Sequence, residues 1–289
     1  MSLARVRQFP QSEVLSAEAP VSAPSSLKLV GETRALFDAA IVPGRLFRSF
    51  VDKQRLGRRV SADQASPIVL FPGYGSDERY MKPLKLHLQN LGYPVEDWGL
   101  GLNIGGENLE HTLDDLSDHW DFEFPENYNE DDYNGEGGVA YLIDLAAEQV
   151  AAFHEQYRRP MALIGWSLGG YVAREVARRL GDKVCHIITM GSPVIGGPKY
   201  TAGGKFIAAK GTDIDWIEEQ VAKTDQYEIS QPITLIFSKS DGVVDWRAAL
   251  DKSNPRVEHW LVDCAHLGMG FHPKIWRLIS ESLERYASS

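Results

Sequence analysis

The sequence predicts an α/β protein, a mostly parallel sheet flanked by helices, with inserted loops or a small cap. Three observations predict it. From about Ser61 onward, short apolar runs alternate with stretches in which apolar residues recur at helical spacing. Several of these runs are almost continuously apolar, as strands are when both faces of a sheet are covered. Strand and helix then alternate one by one, the pattern of right-handed crossovers between parallel strands.

Residues 67–71 read as the first such strand, ending in the turn-rich Pro72-Gly73-Tyr74-Gly75. Leu84, Leu88 and Leu91 mark a helix, and Gly92 stops it. A second strand covers about 94–98. Ile143, Ala146, Val150 and Phe153 share one helical face. Residues 161–165 form the next strand, and Leu168, Val172, Val176 and Leu180 stripe the helix after it. Strands follow at 184–190, 233–237 and 257–262. Ile275, Leu278, Ile279 and Leu283 mark a closing amphipathic helix.

Two stretches break this rhythm. Residues 99–137 are Gly-rich, then acidic and aromatic, and read as a long loop or inserted flap. Residues 194–230 are a second irregular insert with a short helix around 216–221. Residues 1–60 read as an N-terminal extension, a tail plus a helix. Pro10, Pro20, Pro24 and several serines make its start look loose and solvated. The α/β domain then occupies 61–289.

With 289 residues, the chain suffices for one large domain with decorations. Hydrophobic residues make up 43% and charged residues 24%, so disorder and fibrous repeats do not fit. The formal charge of −10 gives no general attraction for phosphate backbones or anionic lipid heads, which argues against nucleic-acid binding. No run is apolar over the ~20 residues of a membrane span, and the N-terminus lacks a signal-peptide core. These features lead to the expectation of a soluble, cytoplasmic protein. Cys185 and Cys264, each in an apolar, strand-like run, are expected to be buried free thiols.

The chemistry is concentrated in four segments. Gly165-Trp166-Ser167-Leu168-Gly169 matches G-x-S-x-G. It follows an apolar strand directly and opens a striped helix, the setting that a nucleophile elbow needs. A serine hydroxyl requires a base. Of eight histidines, His87 and His154 fall in helices, His111 and His119 in the acidic insert, and His186 and His259 in strands. His266 lies in the loop after the last strand, where a base can meet the serine, while His272 sits at a helix start. The acid is expected in the loop after the preceding strand. Asp241, followed by Gly242, comes first there, and Asp245 reads as part of a following helix. The order Ser, Asp, His along the chain is that of the elbow enzymes. Donors for an oxyanion are expected from the backbone N–H groups of Leu168 and Tyr74.

Together these segments resemble the lipase/esterase-like branch of the α/β-hydrolase superfamily. VLFPGYG looks like its oxyanion segment, LIGWSLGG its elbow, FSKSDGVVDW its acid loop and CAHLGMGFHPKIWRLI its histidine loop. The resemblance covers roughly residues 67–286 and implies the α/β-hydrolase fold. It also implies hydrolysis of a small-molecule or lipid ester without a cofactor. No histidine precedes Gly73, unlike in the HGGG esterases. The same residues would serve an acyltransferase, and a catalytically silent binding protein could keep the same fold. Among other clusters, His111, Asp114, Asp115 and Asp118 lack a metal-ligand spacing and read as a solvated acidic face. Asn127, Asn129 and Asp131 lack the sixth-position glycine of a calcium loop. Trp166, Trp216 and Trp246 are candidates either for packing or for lining an acyl pocket.

Overall fold

The structure, a computed structural model, describes residues 6–25, 31–32, 57–120, 122 and 137–286. Seven strands are described: β1 (Val6–Phe9), β2 (Ile68–Phe71), β3 (Val95–Asp97), β4 (Met161–Trp166), β5 (Val184–Met190), β6 (Ile233–Ser238) and β7 (Val257–Val262). They form one sheet in the order β1-β7-β6-β5-β4-β2-β3. Strands β2 to β7 run parallel, and β1 joins β7 antiparallel at the edge.

The helices are α1 (Gln11–Ser16), α2 (Glu78–Leu91), α3 (Gly138–Tyr157), α4 (Leu168–Leu180), α5 (Gly204–Ala209), α6 (Ile214–Thr224) and α7 (Pro273–Tyr286). Gly92 does end α2, in the left-handed conformation at φ 102°. Alternation along β2 explains the two-layer packing. Val69 and Phe71 join Ile143, Val172 and Val176 of α3 and α4 on one face. Ile68 and Leu70 join Leu84, Leu88, Ile275 and Ile279 of α2 and α7 on the other. Each face buries its own apolar stripe, at about 25 cal/mol per Å² of apolar surface removed from water.

Three expectations need correction. Residues 6–9 are not part of a loose tail: Val6–Phe9 extends the sheet, and Phe9 packs edge-on against Phe237 at 5.2 Å between ring centroids. The pull of an open sheet edge outweighs the local prolines there. The second insert contains more helix than expected, with α5 and α6 separated by residues 210–213. Finally, Cys264 lies in the loop after β7 rather than in a strand, and both free thiols are partly exposed. Of the flap expected at 99–137, residues 121 and 123–136 fall outside the described residues, and so does the calcium-like stretch at 127–131.

Candidate active site

The parallel register brings the carboxyl ends of β2, β4, β6 and β7 to one rim of the sheet, where open α/β sheets place their reactive groups. At the centre, Ser167 occupies the turn between β4 and α4 with φ 55° and ψ −127°. It is one of two described residues other than glycine with positive φ. The turn is sharp because strand and helix almost touch. A Cβ on Gly165 would stand 2.3 Å from the Gly169 carbonyl oxygen, and one on Gly169 would stand 2.3 Å from that of Phe71. Only glycine at both places lets the chain close so tightly. The Ser167 N–H donates to Met190 O at 2.9 Å, which anchors the turn to β5.

Leu168 begins α4 and Tyr74 lies in the loop after β2. Among the described residues, neither backbone N–H meets an acceptor. The two residues flank Gly105, whose Cβ would lie 3.8 Å from the Tyr74 ring and 3.9 Å from Leu168 Cδ2. The Tyr74 phenol donates to Glu107 Oε1 at 2.9 Å, and Lys210 reaches the other oxygen of that carboxylate at 2.7 Å. Loss of water, together with Glu107, pushes the phenol's pKa up.

Asp241 follows β6, as expected. Its Oδ1 accepts the N–H groups of Val243 and Val244, each at 2.8 Å. Its Oδ2 lies 2.7 Å from His266 Nδ1. Both side chains are 2% exposed. The two backbone bonds fix the carboxylate so that its free oxygen faces the imidazole. Asp245 is not part of a following helix: residues 246–249 form a turn, and its Oδ1 accepts the Arg247 N–H at 2.8 Å. Its short side chain satisfies a local amide, as aspartates in turns do. Among the other histidines, His272 accepts the Lys274 N–H at 3.2 Å in front of α7, and His186 and His259 are buried in β5 and β7.

His266 opens a short 3₁₀ turn, His266–Phe271. Trp166 lies against its ring at 5.2 Å between centroids and donates Nε1–H to its carbonyl at 3.2 Å. Trp166 is in turn stacked on Tyr80 at 3.7 Å, and the Tyr80 hydroxyl donates to Leu267 O at 3.2 Å. Burial pushes the Tyr80 phenol up, so it remains a donor. The structure thus couples Asp241 to His266 and sets Ser167 one residue from the tryptophan that supports the imidazole. Among the described residues, no hydrogen bond joins Ser167 Oγ to His266.

Two supports of this site escape sequence reasoning. Gly191, at φ 57° just after β5, lies over the Asp241–His266 pair. A Cβ there would stand 3.0 Å from both Asp241 Oδ2 and His266 Nδ1. Its only sequence signal is its place at the end of a strand. The second is Glu32, from the N-terminal extension, whose buried carboxylate meets the loops that carry Asp241 and His266. Of the three tryptophans, Trp166 belongs to the site. Trp246 packs on Phe9 and Phe237, and Trp216 packs on Phe122. Among the described residues, no group of three or more His, Cys, Asp or Glu could hold a metal ion, and no helix is long and apolar enough to cross a membrane.

A mostly parallel sheet with this elbow and these loops at its rim defines the α/β hydrolases, and the chain has their fold. The family model for thioesterase domains matches residues 110–194, which include α3, β4, the elbow and β5. Among solved structures, a protein of Burkholderia cenocepacia assigned as an aryl esterase is similar, with 15% identity and a TM-score of 0.51. It covers 78% of this chain and 92% of its own. An esterase of Pyrococcus furiosus shares 17% identity over 78% of this chain and 85% of its own, with a TM-score of 0.48. The naproxen esterase of Bacillus subtilis shares 15% over 78% and 84%, with a TM-score of 0.49. No curated protein matches the chain.

Proposed function

We propose that the protein is a serine hydrolase that cleaves carboxylic esters through an acyl-enzyme on Ser167. The reading rests above all on the backbone of Ser167, which holds φ 55° and ψ −127° between a strand and a helix. Such a conformation costs a side-chain-bearing residue of order 1–3 kcal/mol and concentrates where function demands it.

In the proposed cycle, His266 Nε2 takes the proton of Ser167 Oγ as that oxygen bonds to the ester carbonyl carbon. The hydrogen bond this requires often closes only once substrate is bound. The imidazolium keeps its Nδ1–H on Asp241 Oδ2, at the 2.7 Å spacing described above. The carbonyl oxygen, now negative, accepts the backbone N–H groups of Tyr74 and Leu168. Collapse breaks the bond to the alcohol oxygen, which leaves with the proton from His266. Water then gives a proton to His266 and its oxygen to the acyl carbon. The acid leaves, and Ser167 regains its hydrogen. The cycle needs no cofactor, and its substrate is a small-molecule or lipid ester.

A thioester is the second reading, favoured by the family match over residues 110–194. The same cycle applies with a thiol in place of the alcohol: its sulfur leaves the acyl carbon and takes the proton from His266.

The test is labelling with a fluorophosphonate, followed by rates on p-nitrophenyl esters and acyl thioesters of graded chain length. Modification of Ser167 is expected in the wild-type protein, with none in Ser167→Ala and no acyl-enzyme in His266→Ala. A folded wild-type protein that resists the reagent rejects the reading in favour of a silent binding protein. Ester products formed with added alcohol would identify an acyltransferase.

A further inference from the structure

We infer that Glu32 is a positioning residue that clamps the histidine loop to the acid loop, so that the N-terminal extension completes the active site. Glu32 Oε1 accepts the N–H of Gly242 at 2.7 Å and the N–H of His266 at 2.9 Å. Its Oε2 accepts the N–H of Leu267 at 2.9 Å. Residue 32 is 2% exposed. One side chain thus binds the residue after Asp241, the base itself and the residue after the base.

The chemistry of this clamp is specific. A carboxylate offers two acceptor oxygens and no donor, and it meets three donors from two separate loops. A buried carboxylate is costly unless hydrogen bonds replace its water, and here backbone amides do so. Gly242 lies in an irregular bend, and His266 and Leu267 open the 3₁₀ turn, whose first amides have no partner within the turn. Without Glu32, Gly242, His266 and Leu267 would each leave a backbone donor unmet beneath the rim. The cheapest relief is movement of the loops, which alters the distance between Asp241 and His266.

The clamp also explains why a segment distant in sequence is held in place. β1 pairs with β7, whose end leads into the histidine loop, and Lys252 Nζ donates to Ala17 O at 2.6 Å. Glu32 then meets the same loop at His266 and Leu267.

This inference rests on the reading of His266 as the base, and two independent measurements separate the two claims. Amide hydrogen exchange is compared between wild type, Glu32→Ala and Glu32→Gln. Glu32→Ala should exchange about tenfold or more faster at Gly242, His266 and Leu267, and Glu32→Gln should do so at Leu267, while α4 stays protected. Glu32→Gln keeps the volume but sets its amide N–H₂ against backbone donors, and it carries the test if Glu32→Ala does not fold. In ester hydrolysis kcat should fall on the order of 10²-fold with KM almost unchanged, as expected when a reacting group is displaced by about 1 Å. Unchanged exchange at the three amides overturns the clamp. Faster exchange at all amides alike, or faster local exchange with unaltered kcat, overturns the positioning role. If the wild-type protein neither turns over esters nor takes up fluorophosphonate, the hydrolase reading fails, and the exchange pattern still decides whether Glu32 holds the two loops together.

Discussion

Gly73 rests against Ser167 with no room for a side chain: a Cβ on Gly73 would stand 2.9 Å from the Ser167 Cβ and 2.7 Å from the Trp166 ring. Trp166 cannot swing aside, because it is stacked on Tyr80 and bonded to the His266 carbonyl. The loop that offers the Tyr74 N–H is therefore held directly against the elbow. Gly73→Ala should push that loop outward and lower kcat on an ester on the order of 10²-fold, with a smaller change in KM. Initial-rate kinetics check this, and an unchanged kcat would remove Tyr74 N–H from the proposed oxyanion site.

Asp241→Asn should lower turnover by up to ~10⁴-fold while the protein stays folded, because an amide no longer fixes the imidazole tautomer. Asp245→Asn should leave the rate near wild type, since Asp245 serves only its own turn. Parallel rate measurements on the two variants distinguish them. Equal losses would mean that the acid has been assigned to the wrong residue.

Arg174→Ala should destabilise the protein without touching the chemistry. Arg174 is fully buried on α4, and its Nη1 lies 2.5 Å from the buried Asp251 carboxylate. Removing the guanidinium leaves that charge without its cation, which typically costs 3–5 kcal/mol. Urea unfolding reads the loss as a lower midpoint at unchanged slope.

Stability should fall in mild acid. Burial holds the imidazoles of His186 and His259 neutral, lowering their pKa values to about 3 and about 4. In the unfolded chain both sit near 6.5. From about pH 6.5 down toward 4, the unfolded state therefore takes up protons that the folded state refuses. Each histidine then removes up to about 1.4 kcal/mol per pH unit. Asp225, which burial pushes up to about 6, works in the opposite sense over most of that window, from about pH 6 downward. Two imidazoles against one carboxyl leave a net loss. Urea midpoints at pH 7 and pH 5 test the sign, and His259→Leu should flatten the slope.

The sequence carried most of the sheet because its strands are buried on both faces. Leu163 and Ile164 of β4, for example, each face an apolar layer, so the run stands out without any partner in view. The elbow was equally legible, since strand, G-x-S-x-G and helix are contiguous. Asp241 and His266 were legible only as the first suitable residues beyond two strands, and their 2.7 Å contact needed the fold. β1 was hidden for a physical reason: Val6-Arg7-Gln8-Phe9 has little apolar character of its own and is a strand because β7 presents an open edge. Gly191 and Glu32 were hidden as well. One acts through the space it leaves empty, and the other through amides more than two hundred positions away.

The pairing of β1 with β7 has a consequence during synthesis. Val6 lies beside Val262, so this stretch must wait for more than two hundred further residues before it finds its template. Contacts so far apart along the chain close late and slowly. Until β1 docks, β7 carries a row of bare amides and carbonyls, open to any neighbouring chain. A polypeptide released early, or one lacking its first strand, should therefore fail by clumping with its own kind before any question of chemistry arises.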